Sequence, residues 1–181
     1  MRTYIWRNEE TTGLEYAEVE ELSDKIHVNS TIINGSPSAY KADYFFLLTK
    51  QWEVVNIRVI IAASGRRLHL RKKGEKWLDA DKKELPELTG AIDVDISATP
   101  FSNTLPIKRL SWETGHKKEF EMVYIELPSL QLQKLTQYYT LQEKTERGFT
   151  FTYECNDYQT KIYMDEDGFV ISYPGVFTRC V

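Results

Sequence analysis

The sequence predicts a mainly β protein, built on a single curved antiparallel sheet that forms an open or half barrel. Three observations lead there. Apolar and polar residues alternate with a period of two over most of the chain, as half-buried strands do. Turn signals recur at hairpin spacing. No helical pattern of about 10–15 residues is interleaved between the strands, which excludes a parallel α/β fold. The count is about ten to twelve strands, with one short helix or irregular plug near residues 97–110. Nothing resembling a linker or an internal repeat divides the 181 residues, so residues 1–181 read as one domain.

The elements follow in order. After Gly13, Leu14 and Tyr16 start a strand, and Ile26, Val28 and Ile32 share one face of the next. Asn34-Gly35-Ser36-Pro37 is a strong turn signal. Tyr40, Ala42, Tyr44, Phe46 and Leu48 then form one apolar face; Val55, Ile57, Val59 and Ile61 repeat the pattern after Trp52. Ser64-Gly65 and Lys73-Gly74 turn the chain into Leu68–Leu70 and Lys76–Leu78. Strands resume with Phe120, Met122 and Tyr124. Leu135, Tyr139 and Leu141 alternate with Thr136, Tyr138 and Thr140, which favours a strand over a helix. Phe149, Phe151 and Tyr153 share a face, and Asp165-Glu166-Asp167-Gly168 turns Ile162 and Met164 back into Phe169, Ile171 and Tyr173.

Composition narrows the function classes. A net charge of −4 argues against a dedicated nucleic-acid binder. The one basic cluster, Arg66, Arg67, Arg71, Lys72 and Lys73, reads as the solvated face and end of a strand. Two cysteines without metal spacing, Cys155 and Cys180, do not make a zinc site or a disulfide scaffold. The N-terminus lacks an apolar h-region and no apolar run approaches about 18 residues, so the expected compartment is the cytoplasm and nothing spans a membrane. Eleven Tyr, 8 Phe and 4 Trp suit strands and also the walls of ligand cavities. His27, His69 and His116 show no metal or triad spacing, Asp165–Gly168 is a turn rather than a calcium loop, and the four tryptophans read as core. No cofactor is expected.

The alternation stops at Asp93–Leu110, D-V-D-I-S-A-T-P-F-S-N-T-L-P-I-K-R-L. Ser97 or Thr99 can cap a short helix with Pro100 at its first position, and Pro106 should end it near Thr104. Phe101, Leu105 and Leu110 would plug one end of the barrel, with Asn103, Thr104, Lys108 and Arg109 free for polar work. Asp93 and Asp95 stand at i and i+2, which places both on one strand face. That pattern suggests an aspartate nucleophile with an acid/base partner. The chemistry needs an apolar parallel strand leading into it, and Leu88-Thr-Gly-Ala-Ile92 is a poor one. Carboxylates held by backbone N–H groups or by Arg109, or an anchor for a ligand head group, are the other readings.

The same segment resembles the signature of the bacterial family called "putative glycolipid-binding", once a domain of unknown function. The resemblance extends to Trp6 and Gly13-Leu-Glu15, Gly65-Arg-Arg-Leu-His-Leu-Arg71 with Trp77, Leu85-Pro-Glu-Leu88, Tyr124-Ile-Glu-Leu-Pro-Ser-Leu130, Gln137-Tyr-Tyr-Thr140, Asp165–Gly168 and Tyr173-Pro-Gly175. Ser102 and Lys108 stand where Thr and Arg are common in that family. The resemblance implies an open or half barrel similar in fold to the periplasmic carriers of lipoproteins, although this chain shows no export signal.

The resulting expectation is a non-catalytic protein that binds a lipid, a glycolipid or another apolar small molecule in the concavity of its sheet. Tyr40, Tyr44, Phe46, Tyr138 and Phe151 would supply walls. Asp93, Asp95, Ser97, Thr99, Asn103, Thr104 and Arg109 would supply polar groups, with Glu15 added by the resemblance. Two alternatives stay open: a hydrolase of lipid or phosphate esters using Asp93 and Asp95, and a protein-interaction module. No nucleic-acid partner is expected, and the number of subunits is not legible.

Overall fold

The computed structural model describes residues 1–181. Fourteen strands form one sheet: β1 (Arg2–Asn8), β2 (Gly13–Glu21), β3 (Lys25–Asn34), β4 (Tyr40–Thr49), β5 (Val54–Ile61), β6 (Arg67–Lys73), β7 (Lys76–Leu78), β8 (Asp93–Ile96), β9 (Lys117–Ile125), β10 (Leu132–Thr145), β11 (Gly148–Cys155), β12 (Tyr158–Met164), β13 (Val170–Tyr173) and β14 (Phe177–Arg179). Their order is β7-β6-β5-β4-β3-β2-β1-β14-β13-β12-β11-β10-β9-β8. All pairs are antiparallel except β8 with β9. The fold class is as expected; the strand count exceeds ten to twelve because β1, β8 and β14 are too short or too irregular in pattern to announce themselves. No helix is long and apolar enough to cross a membrane.

The order explains the shape. The terminal strands β1 and β14 pair mid-sheet, through Trp6↔Arg179 to Asn8↔Phe177, and join two meanders. The outermost strands, β7 and β8, are consecutive in sequence, so residues 79–92 must pass from one edge to the other. That passage is tied by Trp77 Nε1, which donates to Ala91 O at 2.9 Å. No ladder joins β7 to β8, so the curved sheet stays open. Register shifts at Leu47/Leu48, Leu141/Glu143 and Tyr163/Met164 bend the strands. The first shift also corrects β5, where Val54 and not Val55 joins Ile57, Val59 and Ile61 in the core.

The alternating faces fill the concave side with two hydrophobic clusters, one of 28 buried residues and one of 12. The segment after β8 is wedged between them. Phe101 and Leu105 enter the larger cluster, and Ile107 enters the smaller. Its helix differs from expectation. A 3-10 turn at Phe101–Asn103 leads into α1 (Thr104–Arg109), so the helix begins where Pro106 was expected to end it. Pro106 is the third residue of α1, where a backbone N–H would have no intrahelical partner. Side chains satisfy the buried backbone around it: Thr99 Oγ1 accepts from Phe101 N at 3.0 Å, and Ser102 Oγ accepts from Ile96 N at 3.0 Å.

Arg109 anchors the far end of the wedge. Its Nη2 lies 2.6 Å from Asp93 Oδ2, and the side chains are 12% and 0% exposed. The pair is incompletely satisfied, because Asp93 Oδ1 and Arg109 Nε have no partner. Removing one member strands the other charge. Arg109→Met is therefore expected to cost about 3–5 kcal/mol in urea unfolding. The double variant Asp93→Leu/Arg109→Met should recover most of that loss; a double variant as unstable as the sum of the singles would show that the two side chains are not coupled.

Candidate functional site

The inward face of the sheet is not uniformly apolar where it meets the wedge. Nine polar residues are buried, and five of them, Asp93, Thr99, Ser102, Asn103 and Thr104, lie in the segment itself. Gln137 bonds the segment directly, while Glu15 and Ser30 reach it through Tyr44. Three polar chains result: the Asp93–Arg109 pair and the two described next.

The first runs from β2 to the wedge. In β2 the expected face is inverted: Glu15, Ala17 and Val19 point inward, while Leu14 and Tyr16 point out. Glu15 Oε1 accepts from Ser30 Oγ at 2.8 Å and from the Tyr44 hydroxyl at 2.5 Å. Tyr44 OH stands 3.3 Å from Thr99 Oγ1. Burial pushes the Glu15 carboxyl up to about 7, against the stabilising bonds from Thr99, Tyr44 and Ser30. Its Oε2 has no partner.

The second chain borders an open cavity. Asp95 Oδ2 accepts from Gln137 Nε2 at 2.6 Å. The Tyr139 hydroxyl donates to Asn103 Oδ1 at 2.8 Å, with Gln137 Oε1 at 3.3 Å. Burial raises the Asp95 carboxyl, while Gln137 and Ser102 oppose the shift. The cavity, about 360 Å³, is lined by Asp95, Ser97, Thr99, Asn103 and Gln137 on its polar side. Tyr124, Tyr153, Tyr158, Tyr173 and Phe177 form its aromatic side, with Cys155 between. Tyr158, 46% exposed, stands at the rim.

The structure therefore gathers part of the expected set. Asp95, Ser97, Thr99 and Asn103 line one cavity. Glu15 and Tyr44 lie behind Thr99 in the closed network, and Thr104 is buried with its hydroxyl unpartnered. Asp93 and Arg109 are sealed in their ion pair and do not line the cavity. Three expected wall residues are corrected. Phe46 and Phe151 are fully buried in the core, and Tyr40 packs against the larger cluster, because the concavity is filled by the protein's own side chains. Tyr138 is corrected too: it alternates with the inward Gln137 and Tyr139, so it faces outward, where Lys117 Nζ stands 4.4 Å from its ring.

Gln137 and the tyrosines of β9 and β11–β13 were not singled out as site residues. The signal for Gln137 was present: it shares the phase of Leu135, Tyr139 and Leu141, so a polar amide was bound to point inward. The basic cluster is a strand surface, with Arg66, Arg67, Arg71 and Lys73 exposed and Lys72 half-buried against Trp77. Trp6, Trp52 and Trp77 are core, and Trp112 packs against the smaller cluster.

Glu15 makes stability depend on pH. Its carboxyl titrates near 4.5 when unfolded and about 7 when folded, so the folded state holds the proton more tightly. That contribution is complete below pH 4.5 and is lost as pH rises toward 7, by about 3 kcal/mol in all. Urea unfolding at pH 5, 6 and 7 should show stability falling, and Glu15→Gln should flatten the slope by about 1.4 kcal/mol per pH unit. A slope unchanged in Glu15→Gln would mean that Glu15 is already ionised in the folded protein.

Comparison with known proteins places this geometry. A crystal structure of a DUF1089 family protein from Pseudomonas aeruginosa is similar at 29% identity over 91% of each chain, with a TM-score of 0.76. No curated protein matches. The model of the family described as "Putative glycolipid-binding" matches residues 3–179. The chain therefore belongs to the family of that description, whose match takes in the wedge and the residues that line the cavity.

Proposed function

We propose that this protein binds the polar head of a glycolipid, or of a similar amphipathic molecule, in the cavity beside Asp95. The family description supports the ligand class. The observation that carries the reading is Asp95 itself: a carboxyl group set in a cavity wall, held by the Gln137 amide, with no cation paired to it. Such a group has acceptor capacity left for a ligand. Tyrosine rings and amides around it are the few convergent polar groups and apolar walls that small-molecule sites use.

The head, and not the whole lipid, fits the space. A volume of about 360 Å³ sits at the low end of the range for small-molecule sites. The remainder of the concave side is occupied by the two hydrophobic clusters. The acyl part of a ligand would then stay outside the core. Hydrolysis by two carboxylates finds less support, since Asp93 is engaged by Arg109 and only Asp95 reaches the cavity. A protein-interaction role has one observation in its favour. Leu14 and Ile33, paired across β2 and β3, are 52% and 57% exposed on the outer face. Sedimentation tests it: a dimer lost in Leu14→Ser/Ile33→Ser supports that role, and a monomer in both proteins removes it.

Native mass spectrometry with organic extraction tests head-group binding. Wild-type protein should carry an extractable amphipathic adduct. Asp95→Ala, with its β circular-dichroism signature retained, should lose it. No adduct on the wild type, or equal retention by Asp95→Ala, would overturn the assignment.

A further inference from the structure

We propose that Asp95 makes the cavity selective by charge: it admits an uncharged, hydroxyl-rich head group and rejects an anionic one. The inference rests on the head-group reading above and deepens it. Among the 16 residues that line the cavity, Asp95 is the single one that carries a formal charge once ionised, a step that burial moves to higher pH, and no lysine, arginine or histidine faces the space. The arginine nearest in sequence, Arg109, is bound to Asp93. A phosphate, sulfate or uronate placed there would meet a carboxylate and find no cation. Like charges brought together in a site sheltered from water cost several kcal/mol and are a common device for rejecting wrong partners.

A neutral sugar suffers no such penalty. Its hydroxyls donate to Asp95, whose oxygens can take about four hydrogen bonds, and the protein supplies donors from Gln137 and Ser102 only. Asn103 and Gln137 are themselves fixed, by Tyr139 and by Asp95, so they present set acceptors and donors to a ligand.

Three of the lining rings lie against one another. Tyr153, Tyr158 and Tyr173 stand 5.9, 6.3 and 6.4 Å apart, centroid to centroid. These are the spacings of rings packed against one another.

The test compares ligands with one tail and different heads below their micelle-forming concentrations, read by tyrosine and tryptophan fluorescence and by calorimetry. The probes are octyl glucoside and octyl galactoside (neutral), octyl glucuronide (anionic) and octyltrimethylammonium (cationic). The neutral glycosides should bind the wild type at least about tenfold more tightly than the glucuronide. In Asp95→Asn the gap should close to within about threefold, because the carboxylate is gone while the shape is kept. Glucuronide binding as tight as the neutral glycosides would overturn charge selection, and ammonium binding tighter than the glycosides would overturn the preference for an uncharged head; either leaves the head-group site standing. If no probe binds the wild type, the head-group reading itself falls, and this inference with it. The wild-type comparison decides even if Asp95→Asn does not fold.

Discussion

A single sheet of fourteen strands that curls without closing has a concave side it cannot cover with itself. Everything else in this protein follows from how that side is covered. Residues 97–110 fold back into it as a wedge, contributing Phe101 and Leu105 to one hydrophobic cluster and Ile107 to the other. The wedge is short and its backbone is irregular, so its buried N–H groups lack the partners a strand or a long helix would supply. Short hydroxyl side chains stand in for them, which is why Thr99 and Ser102 occupy the places they do. A signature rich in Ser, Thr, Asn and Pro is the covalent record of that requirement.

The same requirement creates the site. Polar side chains brought in to satisfy the wedge must in turn be satisfied by the sheet, and Glu15, Tyr44, Gln137 and Tyr139 do so from strands on both sides of the molecule. Where the wedge does not fill the concavity, several polar groups line a cavity wall, and one of them is a carboxylate with no cation beside it. Asp95 is that group. Its neighbour Asp93, two residues away on the same strand face, is sealed by Arg109. What separates the sealed aspartate from the one at the cavity wall is which of them a cation reaches, not sequence spacing.

Much of the sheet was legible because hydrophobic alternation reports burial directly: Ala42, Tyr44, Phe46 and Leu48 point inward as their pattern demands. It failed where burial and polarity part company. β2 carries Glu15 inward and Leu14 outward, so its pattern reads with the wrong face. β8 is a four-residue edge strand in parallel register, which hairpin logic does not anticipate. Pro106 was read as a stop because a proline restricts the residue before it, yet in the first turn of α1 it breaks no bond. At the site, the segment's own residues were legible, but its partners were not. Gln137 meets Asp95 across 42 residues of chain, and only the folded sheet makes them neighbours. Tyr138 was placed on the inner wall although its own alternation with Tyr139 turned it out.

The central claim is that the space between the wedge and strands β9–β13 is the ligand site. Solution NMR addresses it most directly, by following the Gln137 side-chain amide and the rings of Tyr124, Tyr153, Tyr158 and Tyr173 during titration with octyl glucoside. Saturable shifts concentrated on these groups are expected, with Leu14 and Ile33 on the outer face unaffected. Shifts confined to Leu14, Ile33 and their surroundings, with the Gln137 amide and the tyrosine rings unmoved, would contradict it.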